Sequence, residues 1–265
     1  MGQRMNSSTL HMLYFLLAKR SREEAFKLDE FIRTAQTSLM KLDELRAVWL
    51  LKHELPMSEL VSSPDDSSIE RIAKNIIRQK IIFQYDPGWI ELFFSAAEQR
   101  LQGYQFITMK ELLRYLYGAG DVVGMMGAQL LGLPREAQHS AAMQARALHF
   151  LDIVADADNN EELFPAEVFE KHGLDNLGRA TTEKEKEAFY EFMHAQLKLF
   201  NGWQRQANKG LKHVPKGARR VIHALIDSGH MRARQIARDP EVIYNHKLAP
   251  SRARVAGMVV ARLFD

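Results

Sequence analysis

From Leu10 to Leu55 apolar side chains return every three or four residues, and nowhere does the two-residue alternation of a strand replace that rhythm. Leu13, Leu16, Leu17, Phe26, Phe31, Ile32, Leu39, Leu42, Leu45 and Val48 fall on stripes that only a helix turns into one buried face. A chain patterned this way must solve its packing with helices alone. The same period continues beyond Leu55, so the expected class is all-α.

Punctuation divides the pattern. Residues 61–68 interrupt it, and Ser67 and Ser68 offer an N-cap for a helix running to about Phe83. Asp86-Pro87-Gly88 reads as a turn, followed by a helix from Trp89 to Leu101. Thr108 with Glu111 three residues later forms a capping-box signature. Gly132-Leu133-Pro134 closes a glycine-rich helix, and a long helical stretch is expected from Ser140 to Asp158. Val168 to Gly173 reads as a short helix ended by glycine. Glu183–Asn208 and Lys216–Ile236 are the last long helices, and Asp239-Pro240 and Ala249-Pro250 punctuate the end. No linker argues for a second unit, so one helical domain over residues 1–265 is expected.

Composition removes several classes of function. With 46% apolar residues the chain can build a large core. With no cysteine there are no disulfides, thiolate metal sites or cysteine nucleophiles. The histidines show no zinc spacing. The most apolar window, Tyr115 to Leu133, contains Asp121 and Gln129 and lies between Arg114 and Arg135, so it reads as a buried helix and not a membrane span. Without a signal peptide or a span, the expected location is cytoplasmic or peripheral at a membrane. The net charge is only +3, but from Asn201 onward basic residues outnumber acids about three to one, which suggests an anionic partner. Arg219, Arg220, Arg232, Arg234 and Arg238 suggest a phosphate-contacting stripe, yet aromatics that would stack on bases are sparse among them, so nucleic acid is not the expected partner.

The sharpest chemical signal is Asp152-Ile153-Val154-Ala155-Asp156. Carboxylates four apart on a helix sit one turn above each other and repel unless a cation lies between them. Magnesium is such a cation, and it keeps room for phosphate oxygens. The competing reading is a solvated pair of surface acids. His149, one turn before the aspartates, reads as a satisfied neighbour of the site. Gly118, Gly120, Gly124 and Gly127 serve close helix packing or close approach of a substrate. Asp121 is open between a functional carboxylate and a solvent-facing one.

Several segments together resemble the squalene/phytoene synthase family. Phe150–Asp156, Phe164-Pro165 and Val168–Leu174 are similar to its second acidic motif and the short helix after it. Thr108–Tyr117 resembles the family's T-x-x-E-L-x-x-Y-x-Y stretch, and Val123–Met126 its V-G-x-M. Tyr14-Phe15, Arg22 and Phe31-Ile32-Arg33 resemble the helix leading into the first acidic motif. Val214-Pro215, Arg219 and Asp239-Pro240 resemble the closing helices, so the likeness runs in order from about Leu10 to Val259.

The resemblance implies an all-α bundle of the isoprenoid (terpenoid) synthase type around an apolar cavity. It implies a Mg2+-dependent transferase joining two prenyl diphosphates, with Asp152 and Asp156 as catalytic metal ligands. The departures are pointed. Where the first acidic motif belongs, the chain reads Thr34-Ala35-Gln36-Thr37-Ser38-Leu39-Met40, without a carboxylate. Arg100 stands where the family carries an acid, Glu161 where it carries an arginine, and Leu148 and Ala145 where it often carries asparagine and glutamine. Two readings are open. In one, the protein binds an isoprenoid diphosphate through one metal and is limited to a one-diphosphate reaction. Arg33, Arg100 and Arg219 then replace the lost cations, and Tyr117 and Asp121 are further substrate contacts. In the other, catalysis is lost and the chain is a prenyl-lipid binder or a scaffold for a protein partner.

Overall fold

The structure is a computed structural model that describes residue 17, residues 19–245 and residue 248. Leu10, Leu13, Leu16, the Tyr14-Phe15 pair, Ala249-Pro250 and the stretch to Val259 lie outside the described residues. Among the described residues every regular element is helical.

Helix α1 (Lys19–Ala35) buries Ala25, Leu28, Phe31 and Ala35, the stripe its sequence period demands. It stops at Ala35. Thr37 turns its hydroxyl onto the Arg33 carbonyl, and Ser38 caps the next helix, α2 (Leu39–Lys52), by accepting from the Lys41 N–H. The acid-free segment of the sequence is therefore a turn between two helices. Met40, at its far side, is 65% exposed.

Helix α3 (Ser68–Phe83) starts on the Ser67 cap, as expected. Helix α4 (Pro87–Leu101) begins inside the segment read as a turn: Asp86 caps it, and Pro87 occupies the first position, where its missing N–H costs nothing. The capping box of Thr108 and Glu111 starts α5 (Met109–Leu116). A π-helical turn, Tyr117–Asp121, joins it to α6 (Val122–Leu130). The apolar window is thus one bent, buried helical run, and among the described residues no helix is long and apolar enough to cross a membrane.

Helix α7 (Arg135–Val154) is the axis of the bundle, packed by α6, the π turn, α9 and α10. It starts and ends earlier than the sequence suggests. Helix α8 (Ala166–His172) ends on Gly173, which adopts φ 63°. Helix α9 (Glu183–Asn208) matches its expected bounds behind a Thr182/Glu185 capping box, and α10 (Lys216–Arg238) runs two residues beyond Ile236.

Two large apolar clusters fill the bundle. One joins α1 to α4 with α6 around Phe31, Trp49, Phe93 and Phe94; Phe31 meets the latter two rings at 5.4 and 5.7 Å. The other joins α5, α7, α9 and α10 around Phe150, Phe192 and Phe200. Glycine sets how closely α6 and α7 approach. A Cβ on Gly124 would collide with the Ala141 carbonyl oxygen, whereas one on Gly127, a turn away, would meet nothing within 4 Å.

These neighbours predict opposite effects. Gly124→Ala forces two backbones apart and is expected to cost about 2 kcal/mol. Gly127→Ala gains helix propensity at no steric cost and is expected to add up to about 1 kcal/mol. Denaturant midpoints of the two variants check both, and equal midpoints would contradict the close approach.

Candidate functional site

The open space beside Gly127 belongs to a cavity of about 230 Å³ between α1, α6, α7, the end of α9 and the first half of α10. Its walls are almost entirely apolar, with Asp29, Ser140 and Gln144 the polar exceptions among the described residues. Ala145 and Leu148, the apolar replacements noted in the sequence, both line it. Gln144 is closed off by reciprocal amide bonds with buried Gln204, at 2.9 and 2.7 Å. Asp29 accepts from Arg33 Nε at 2.9 Å, so the carboxylate in the wall has its charge met one turn along α1.

The face of α7 that carries Ala141, Ala145 and Leu148 continues one turn to Asp152. Asp152 does not line the cavity. Its Oδ1 is bound by Nη1 of Arg232 from α10. The Arg232 side chain is only 3% exposed, against 24% for Asp152, and its Nε has no hydrogen-bond partner. A guanidinium this dry needs its carboxylate.

Asp156 departs from the expectation of two acids stacked on one helix. Helix α7 ends at Val154, and Asp156 sits in the turn beyond it with φ −132° and ψ 38°. The cause is local: Asn159 and Asn160 offer side-chain amides that compete with helix continuation. Asn159 Nδ2 donates to Asp156 Oδ1 at 3.0 Å. Asn160 Nδ2 donates to Oδ2 at 3.1 Å and to the Asp156 carbonyl at 2.6 Å. Arg100 of α4 then holds the Asn160 Oδ1 at 2.6 Å.

The remaining candidates do not converge on this pair. Arg33 serves Asp29. Arg219 donates to the carbonyls of Val214 and Lys212, fastening the loop that starts α10. Tyr117 lies on the π turn, 39% exposed. Asp121 is not solvent-facing: it is buried and gripped by Arg146 at 2.7 and 2.5 Å. Burial pushes its carboxyl above the ordinary range, against the pull of that guanidinium. Arg146 in turn lies 5.7 Å over the Trp203 ring. His149 is held by the Tyr115 hydroxyl at 3.0 Å.

Magnesium asks for several oxygens in near-octahedral array. Here one aspartate is spent on a guanidinium and the other on two amides, and among the described residues no group of three or more His, Cys, Asp or Glu side chains could hold a metal ion. The residues present do not fit the expected Mg2+. Arg232, the residue that decides this, leaves no local signal in the sequence, because it lies 80 positions from Asp152.

The family model described as squalene/phytoene synthase matches residues 4–257. A search of curated proteins finds no match. Among solved structures, a dehydrosqualene synthase in complex with ligand superposes with a TM-score of 0.77 at 14% identity, over 98% of this chain and 92% of that one. Squalene synthase HpnC from Alicyclobacillus acidocaldarius gives 0.66 at 14% identity, covering 89% of each chain. YisP from Bacillus subtilis subsp. subtilis strain 168 gives 0.69 at 14% identity, over 96% of this chain and 90% of that one. At such identities the structures show the fold, and it is the isoprenoid synthase bundle that the sequence implies.

Asp152→Ala is expected to cost about 3 kcal/mol by stranding the buried Arg232 charge. Adding Arg232→Met to it should recover most of that loss, as a double-mutant cycle in denaturant will measure. Magnesium is expected to leave the unfolding midpoint of the unaltered protein unchanged; a rise that Asp152→Ala abolishes would mean that the ion displaces Arg232.

Proposed function

The chain belongs to the squalene/phytoene synthase family, and on that premise we propose that it binds one uncharged prenyl lipid in its apolar cavity and does not perform magnesium-dependent head-to-head condensation. The observation that carries this reading is the Arg232 guanidinium on Asp152. Condensation must neutralise a leaving diphosphate in a dry site, which takes mobile or uncommitted cations. Three nearby arginines are committed to acids, Arg33 with Asp29, Arg146 with Asp121 and Arg232 with Asp152, and each of these pairs is close to neutral as a unit. Arg22 and Arg219, beside the lining residues Leu17 and Val214, bond the carbonyls of those residues.

Size supports the same reading. An engineered cavity of about 150 Å³ accepts benzene. By that scale 230 Å³ takes a short isoprenoid tail and falls well short of two chains side by side. An apolar wall of this extent left to water is unfavourable, and an apolar occupant would cover it. Asp29 in the wall, its charge met by Arg33 one turn along, offers an acceptor to a hydroxyl head group.

The test compares farnesol with farnesyl diphosphate, with and without magnesium, following binding by calorimetry and release of diphosphate by a coupled assay. Farnesol should bind, and Gly127→Leu, which projects into open space, should weaken it at least tenfold. Diphosphate release should stay at background. Magnesium-dependent release that disappears in Asp152→Asn would overturn the proposal in favour of a one-diphosphate enzyme.

A further inference from the structure

On the outer side of the α9–α10 hairpin, away from the cavity, lies a second groove of about 390 Å³. Helix α9 contributes His194, Lys198 and Arg205 to it, and α10 contributes His230 and Arg234. Among the described residues no carboxylate lines it. Leu197, Ala233 and Ala237 form an apolar floor, over which the long basic stems can lie.

The groove concentrates basic groups that, among the described residues, lack an acid partner. Several basic side chains elsewhere that reach another helix meet an acid: Arg46 meets Glu98, Lys52 meets Glu70, Arg146 meets Asp121, Arg232 meets Asp152. Among the described residues, Lys198, Arg205 and Arg234 make no such pair. Like charges held across a groove repel, and an anion between them removes the repulsion. The nearest acid along α10, Asp227, is one turn from His230 and already has an interaction of its own. His194 directs Nε2 to the Ala237 carbonyl at 3.2 Å, which ties the two helices together at one end of the groove. Burial and Arg234 both hold the His230 ring below its ordinary range, with Asp227 opposing them. The ring thus sits in a net positive field.

We infer that this groove binds a phosphoryl anion, clamped between Lys198 and Arg205 of α9 and Arg234 of α10. The shared chemistry is a dianionic phosphate oxygen cluster, which a guanidinium receives in bidentate fashion and an ammonium as a point charge. It does not depend on the prenyl-lipid reading, because the groove and the cavity share no lining residue among those described. Two sources carry this chemistry: a free phosphate or diphosphate, and a phospholipid head group at a membrane surface.

The full chain should be titrated with inorganic diphosphate while the histidine ring signals are followed by NMR. A saturable shift of His230 is expected. The double variant Lys198→Ala/Arg234→Ala, which alters exposed side chains only, should weaken diphosphate at least tenfold, while Lys184→Ala at the far end of α9 should not. Farnesol binding should be the same in the double variant, which separates this proposal from the preceding one. In parallel, flotation with phosphatidylcholine vesicles, with and without phosphatidic acid, distinguishes the sources. Capture only by the phosphatidic acid vesicles, lost in the double variant, supports a head group; diphosphate binding without capture supports a free anion. An unmoved His230 signal together with no vesicle capture, or a double variant that binds both probes like the unaltered protein, would overturn the inference.

Discussion

A guanidinium that has left water cannot be left alone, and Arg232 has all but left it. Its carboxylate lies on α7, its backbone on α10, and so the register of those two helices is set by one charge pair. Around that contact the rest is arranged. Gly229 turns a bare backbone toward Leu148, whose Cδ2 would come within 2.8 Å of any Cβ placed there. Leu148 lines the cavity one turn before Asp152, which does not. A low-dielectric surrounding strengthens the pair, and the same surrounding makes any rearrangement that parts it costly.

The cavity is the counterpart of that lock. It exists because small residues face one another along α6 and α7: Gly124, Gly127 and Ala128 on one, Ala137, Ala141 and Ala145 on the other. Ridges this low let backbones touch at Gly124 yet leave volume unfilled beside Gly127. A core selected only for stability would fill such a volume with larger side chains. Two of the polar groups that border it are satisfied or paired, as the Gln144–Gln204 amides and the Asp29–Arg33 pair show. An occupant is offered shape and apolar contact, which is the recognition a prenyl tail needs.

Much of this is legible in the residues. Caps at Ser67, Thr108 and Thr182 and the stop at Gly173 act through their nearest neighbours, and the sequence carries them openly. The order of the family segments places Asp152 on the helix that borders the cavity. The misreadings have one origin, competition that a local pattern does not reveal. Asp86-Pro87-Gly88 has turn composition, yet Pro87 suits a first helical position as well as a turn. The helix carrying the aspartates reads longer than it is because Asp156 is helix-compatible in isolation; Asn159, Asn160 and a distant Arg100 hold it in a turn. Asp121 stays open between two roles in the sequence, since its partner Arg146 lies 25 residues away on another helix. Ion pairs across a bundle have no spacing rule, so a sequence shows the carboxylate without showing what has claimed it.

On the proposed prenyl-lipid reading, the acid-free turn and the Asp152–Arg232 pair are physically coupled. With no carboxylate between Gln36 and Met40, no ion can bridge the α1–α2 turn to α7. Asp152 would then be a half-buried charge without a counter-ion, which is costly in a dry helix interface. Arg232 supplies that cation from inside the chain, and a metal at Asp152 would have to displace a nearly buried guanidinium. Restoring an acid at Gln36 or Met40 alone would therefore not rebuild a metal site: the turn capped by Ser38 would still interrupt the helix that should carry it, and Asp152 would still be occupied. A metal bridging that turn and α7 would thus require the turn, the acids and Arg232 to change together, because each of the three is held by a contact that the others do not relieve.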